Sequence, residues 1–228
     1  GRGTAAFVQE QLTGIDKNHS GLELAVETQL TSALSLKAVA SMAQYLYSNN
    51  PMLSLQSEDS DFQFDARPAY LKNYRLASGP QQAYSLGFSY NDPDYWWLGA
   101  TLNYFDTIFI DIAPLTRTNN FANDAGIPFN DYDPDLARVL LKQEQFDPYF
   151  TINLKGGSSW ILNKKFISLF ISVNNLLNTV YKTGGFEQAR SANYRSLRDD
   201  KALEIPVFGA KYWYGRGTTY FINLNFRF

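Results

Sequence analysis

Cysteine is missing from all 228 residues, which excludes a disulfide framework, a thiolate nucleophile and a cysteine-ligated zinc site. Histidine is nearly missing. His19, at an expected loop–strand junction, has no second histidine to share a metal and no convincing nucleophile to serve, so it reads as a surface residue. No run of about 18 apolar residues occurs, which excludes a membrane-spanning helix. A membrane barrel survives that test. Its strands need only about 9–11 residues of alternating character, which leaves mean hydropathy near that of a soluble protein; here it is −0.29. The first residues, GRGTAAFVQEQ, lack a basic region followed by an apolar core. Either the chain is not exported or this is not its natural N-terminus. A net charge of −2 gives no reason to expect nucleic acid as a partner.

Aromatic residues are abundant: 15 Tyr, 17 Phe and 4 Trp make up 16% of the chain, and these rings need surfaces to sit on. Many fall in segments of period two, the signature of a strand with two different faces. Leu22, Leu24, Val26 and Leu30 alternate with Glu23, Ala25, Glu27 and Gln29. Tyr84, Leu86, Phe88 and Tyr90 alternate with Ala83, Ser85, Gly87 and Ser89, and Trp96, Leu98, Ala100, Leu102 and Tyr104 with Trp97, Gly99, Thr101 and Asn103. Phe150, Ile152 and Leu154 form one such row, and Ile167, Leu169, Ile171 and Val173 another. Leu34–Tyr47 is a longer, weaker example and Thr4–Leu12 the poorest. At the C-terminus, TTYFINLNFRF places Tyr220, Ile222, Leu224, Phe226 and Phe228 on one face, with Phe221 the exception on the polar one. The expectation is about eight strands.

Short connections, Thr31–Ala33, Asn91–Tyr95 and Gly157–Lys165, alternate with long ones, Ser48–Pro80, Thr107–Phe146 and Asn175–Gly217. The NDPD run at Asn91–Asp94 is turn chemistry, and Ile108, Ile110 and Ile112 extend the period outward. Only Thr13–Asn18 breaks the pattern. Long loops are uncommon in compact domains, and their regular alternation with tight turns follows if each strand crosses a slab. The expected fold is therefore all-β, an antiparallel up-and-down transmembrane β-barrel segment with short periplasmic turns and long extracellular loops. Leu86, Phe88, Leu98, Leu102, Leu169, Ile171, Leu224 and Phe226 are expected to face lipid, with rings such as Tyr84, Tyr90, Trp96 and Tyr104 at the headgroup boundary.

Three stretches, SVNNLLNTVYKTGGFEQAR (Ser172–Arg190), Gly79–Pro114 and YWYGRGTTYFINLNFRF (Tyr212–Phe228), resemble the C-terminal barrel portion of TonB-dependent outer-membrane receptors. The main markers are the NNLLN element at Asn174–Asn178 and the terminal Phe228. The resemblance implies a receptor of the Gram-negative outer membrane whose 22-strand barrel is plugged by an N-terminal domain that TonB engages. The plug and the earlier strands have no counterpart in these 228 residues. Implied partners are the lipid bilayer, the barrel-assembly machinery through Phe228, TonB through the plug, and an extracellular small-molecule, glycan or siderophore ligand. Two alternatives remain at this point: a soluble all-β binding module with a buried core, and a self-closed eight-stranded barrel.

Catalytic chemistry is not indicated, and neither an enzyme nor a cofactor is expected. Asp131, Asp133 and Asp135 have the opening spacing of a calcium loop, but Leu136 stands where glycine is needed and Lys142 where a bidentate Glu is needed. Asp133 reads instead as the N-cap of a short helix ending near Gln143, with Leu136, Val139 and Leu140 on its apolar side. Glu58, Asp59, Asp61 and Asp65 read as a solvated loop tip. The only binding signal is the aromatic density of the long connections. Phe62, Phe64, Tyr132, Phe186, Tyr194 and Trp213 are the candidates for stacking on a ligand, although most loop rings are expected to pack the loops together.

Overall fold

The period-two segments pair into one sheet because each places its apolar residues beside those of the next. The computed structural model of the protein describes residues 8–57, 63–124, 126–188 and 193–227. Seven strands make the sheet: β1 (Lys17–Gln29), β2 (Leu34–Tyr47), β3 (Gln82–Asn91), β4 (Trp96–Asp106), β5 (Tyr149–Leu162), β6 (Lys165–Asn174) and β7 (Thr219–Arg227). They run antiparallel in sequence order, an up-and-down meander. Val26, Ala38, Leu86, Leu102 and Ile152 lie opposite one another across β1 to β5, and Leu169 lies opposite Leu224 across β6 and β7. A slip of one residue anywhere would move an apolar row onto the polar face, so the pattern fixes the register.

The tight turns lie together at one end. Asp92 receives the amide of Asp94 on its Oδ1, and Tyr95 takes a positive φ of 63°, as expected for the NDPD run. Between β5 and β6 the structure corrects the sequence reading. Gly157–Lys165 is not a connection: β5 continues to Leu162, and Asn163 (φ 50°) and Lys164 (φ 64°) alone make the turn. Two consecutive residues at positive φ suit the twist of a hairpin. Gly157 belongs inside the strand because the Trp97 indole crosses it, and a Cβ there would meet the ring Nε1 at 2.8 Å.

At the other end the long connections continue the ladders outward. Val8–Thr13 is a strand, but not of the large sheet: it pairs with Met52–Ser57, which pairs with Gln63–Pro68. Thr13 faces Met52 as Lys17 faces Tyr47, so the β1–β2 hairpin resumes after a break. Asn49 bridges the break, donating to the Gly14 carbonyl at 2.7 Å and accepting from the Asp16 amide at 2.9 Å. This removes the irregularity at Thr13–Asn18. Ile108–Phe109 pairs with Gln145–Phe146 above β4 and β5, and Lys182–Phe186 pairs with Lys211–Tyr214 above β6 and β7. Two helices, α1 (Pro134–Leu140) and α2 (Tyr194–Lys201), complete this outer assembly.

Every buried apolar side chain among the described residues lies in the outer assembly. Phe121, Phe129, Ala137, Leu140 and Tyr194 form one cluster, Leu53, Ala69, Leu71 and Ile112 a second, and Ile108, Ile110 and Phe146 a third. The expectation of about eight strands in the barrel segment is corrected in number, and the closed eight-stranded alternative is not seen among the described residues. The sheet has seven strands, and β1 and β7 are its two edges and do not pair with each other. Self-closure of the chain is therefore not seen among the described residues.

Candidate functional site

One face of the sheet is apolar and uncovered. Leu86, Phe88, Leu98, Leu102, Ile171, Leu224 and Phe226 are all exposed, and Leu169 is partly so. The residues expected on the lipid side thus share one face, and no second layer of the described residues covers it. Rings mark both ends of its central strands. Tyr90 and Trp96 meet at 5.2 Å beside the tight turn, where the Tyr90 hydroxyl donates to Asp92 at 2.8 Å. Tyr84 and Tyr104 meet at 6.1 Å toward the long connections. Six residues separate Tyr84 from Tyr90, about 20 Å along a strand.

The opposite face carries Glu23, Ser41, Ser85, Asn103 and Lys155, with Ser85 donating to Asn103 at 2.9 Å. It also holds a row of aromatic residues that the period-two reading leaves on the polar side without joining them. Trp97 and Phe170 lie 5.8 Å apart, and Phe170 and Phe221 6.1 Å apart, across β4, β6 and β7.

The outer assembly is tied together by Arg117, which is 4% exposed. Its guanidinium forms a two-pronged ion pair with Glu187 and donates to the carbonyls of Ala113 and Leu141. It also sits 5.0 Å above the Tyr74 ring. Tyr74, Arg117 and Glu187 come from three different long connections, so one side chain links all three. The planar fork of arginine suits such bidentate pairing. A second network joins two of them: Glu144 accepts from Lys182 at 2.8 Å and from the Tyr212 hydroxyl at 2.6 Å. The Lys182 ammonium lies 3.6 Å from the Tyr212 ring centre. Burial, then the bond to Glu144, pushes the Tyr212 hydroxyl up to about 12.

The NNLLN element is the joint between sheet and assembly. Asn175 and Asn178 both adopt positive φ, 50° and 53°, a conformation asparagine tolerates better than most residues. Asn175, 4% exposed, accepts from the Thr179 amide and donates to the carbonyls of Thr179 and Arg216, while its own amide donates to Asn153. Asn178 accepts from the Thr218 amide at 3.1 Å. The element thereby holds the exit of β6, the entry of β7 and the side of β5 in one network.

The candidate ligand rings separate into two groups. Tyr194 is 1% exposed, edge-on to Phe121 and Tyr132, so it and Tyr132 serve the loop core. Phe186 and Trp213 are exposed and face each other at 6.0 Å. Phe62 and Phe228 lie outside the described residues, as does the side chain of Phe64; Glu58, Asp59 and Asp61 also lie outside them. Asp133 does cap α1, accepting from the amides of Asp135 and Leu136, but the helix stops at Leu140 and Val139 is exposed. Asp131 receives Arg195 and Arg198 of α2, and these bonds hold its carboxyl down at about 2. Acidic residues thus clasp two connections here. No group of three or more potential metal ligands occurs among the described residues. No family model matches this sequence, and a search of curated proteins finds no match.

Proposed function

We propose that the seven strands are part of the wall of a β-barrel in the outer membrane of a Gram-negative cell. The chain is the C-terminal barrel region of a TonB-dependent receptor, whose long connections face the exterior and whose polar face lines the lumen. One observation carries the reading: a sheet that buries no apolar side chain, beside an outer assembly that buries many. In water such a face would drive association, because contiguous exposed apolar patches are rarely larger than a few hundred Å² in soluble monomers. In hydrocarbon it is solvated as it stands. Strand lengths agree: β3, β4, β6 and β7 span 10, 11, 10 and 9 residues, where a tilted membrane strand needs about 9–11. Both edges then require partners, since unpaired backbone groups in hydrocarbon each cost several kcal/mol; the remaining strands of the receptor barrel supply them.

Expression of the full-length protein followed by membrane fractionation tests the location. Recovery with outer-membrane markers, and resistance to extraction by high salt, is the expected result; recovery in the soluble fraction would remove the proposal. The receptor assignment has its own test in the parent reading frame, which should encode an upstream signal peptide and plug domain. A frame encoding neither would leave a barrel wall without a receptor.

A further inference from the structure

The outer assembly encloses a cavity of about 450 Å³. We infer that this cavity binds a small organic anion with an apolar body. Its size falls in the range of small-molecule sites, about 300–1,000 Å³. Ile110, Leu140, Leu197 and Phe208 contribute apolar walls.

The charge follows from which groups are already occupied. Three acids line the cavity, and each has its partners. Glu187 is held by Arg117, Glu144 by Lys182 and Tyr212, and Asp200 accepts from the amides of Val207 and Phe208. Three lysines also line it, and none is paired with an acid among the described residues. Lys201 donates to the Leu140 carbonyl at 2.8 Å, and Lys142 and Lys211 are exposed at the rim. The lining therefore carries more positive than negative charge: Arg117 and the three lysines stand against Glu144, Glu187 and Asp200, of which Asp200 alone has no cationic partner among the described residues. An anionic oxygen in the cavity satisfies the ammonium groups. A cation would meet the excess of lysine charge, with Asp200 the only lining acid not already paired with a cation among the described residues.

The site is built from the long connections alone, so the inference holds whether or not the sheet meets lipid. Its test uses the full-length protein in nanodiscs, with empty nanodiscs as the blank, and follows two probes of similar shape by fluorine NMR. Para-trifluoromethylbenzoate should show saturable line broadening, and para-trifluoromethylbenzylammonium should show none beyond the blank. Charge reversal at the two rim residues, Lys142→Glu with Lys211→Glu, should weaken benzoate binding about tenfold or more, through lost attraction and added repulsion. The same reversal at Lys72 and Lys164, which do not line the cavity, should leave it unchanged. Benzoate binding equally in both double variants, both probes binding alike, or no saturable benzoate binding would each overturn the inference. Thermal unfolding of each variant confirms that it is folded before it is scored.

Discussion

Leu224 in β7 and Leu53 in the outer assembly are the same amino acid in opposite situations. Leu224 is 53% exposed within a single-layer sheet, whereas Leu53 is 0% exposed between Ala69, Leu71 and Ile112. The contrast extends to the polar groups. In the sheet, order comes from the ladder and from cross-strand rows, with few side-chain bonds. In the assembly it comes from Arg117, Glu144 and Asn175, each joined to segments far apart in sequence. The assembly resembles the interior of a water-soluble domain, complete with its own core. The sheet leaves its apolar side exposed, the arrangement that a hydrocarbon surrounding, as proposed above, would stabilise.

If the two regions are stabilised by different solvents, substitutions should separate them. The largest expected effect is Arg117→Ala. Removing the guanidinium leaves the Glu187 carboxylate without its ion-pair partner, and losing one partner of a buried pair costs about 3–5 kcal/mol. Hydrogen exchange should accelerate in the three long connections while the sheet amides keep their protection. Next is Leu224→Arg, expected to cost about 2–4 kcal/mol near the bilayer midplane, with Asn225→Arg on the other face far milder. Unfolding from vesicles by denaturant reads both.

Asn175→Ala should follow, at about 1–3 kcal/mol, because it strips the Thr179 amide and two carbonyls of their partner at a buried position. Proteolysis between β6 and β7 should rise without loss of the sheet. The smallest effect belongs to Asp131, which lies on the surface. The bonds to Arg195 and Arg198 depress its folded carboxyl to about 2, from an ordinary aspartate value of about 3.9. Its contribution is thus complete above about pH 4 and is lost as pH falls toward 2. Asp131→Asn should impose on α2 at neutral pH the same small loosening that acid produces in the native chain, and should abolish its dependence on pH, both followed through exchange of the α2 amides.

Period two made the sheet legible: the apolar rows at Leu86–Tyr90, Leu98–Tyr104 and Ile167–Val173 all lie in strands as expected. It failed where glycine and serine interrupt it. Gly156 to Ser159 carry little apolar signal, so the half of β5 next to the tight turn reads as a connection although Trp97 requires the missing side chain at Gly157. The turn itself, Asn163–Lys164, contains no glycine to announce it. Helix α2 was missed because only Tyr194 and Leu197 supply apolar spacing; its Asn193 cap, accepting from Ser196, was the available signal. The Arg117–Glu187 pair spans 70 positions, and charge carries no period from which such a partner is read. Open edges are likewise invisible in a strand's own residues, since closure depends on which strands pair rather than on how each one alternates. The asparagines of NNLLN stood out in the sequence, and the structure supplies the reason in their positive φ and their bonds across three strands.

The face assignment of β7 tests the central claim most directly. The native chain has no cysteine, so single cysteines at Leu224 and Asn225 are unambiguous reporters in the full-length protein in bilayers. Cysteine at Leu224 should react with a lipid-soluble maleimide and resist a water-soluble one, and cysteine at Asn225 should show the reverse preference. Equal labelling of both positions by the water-soluble reagent, or protection of Leu224 from both reagents, would contradict a lipid-facing sheet.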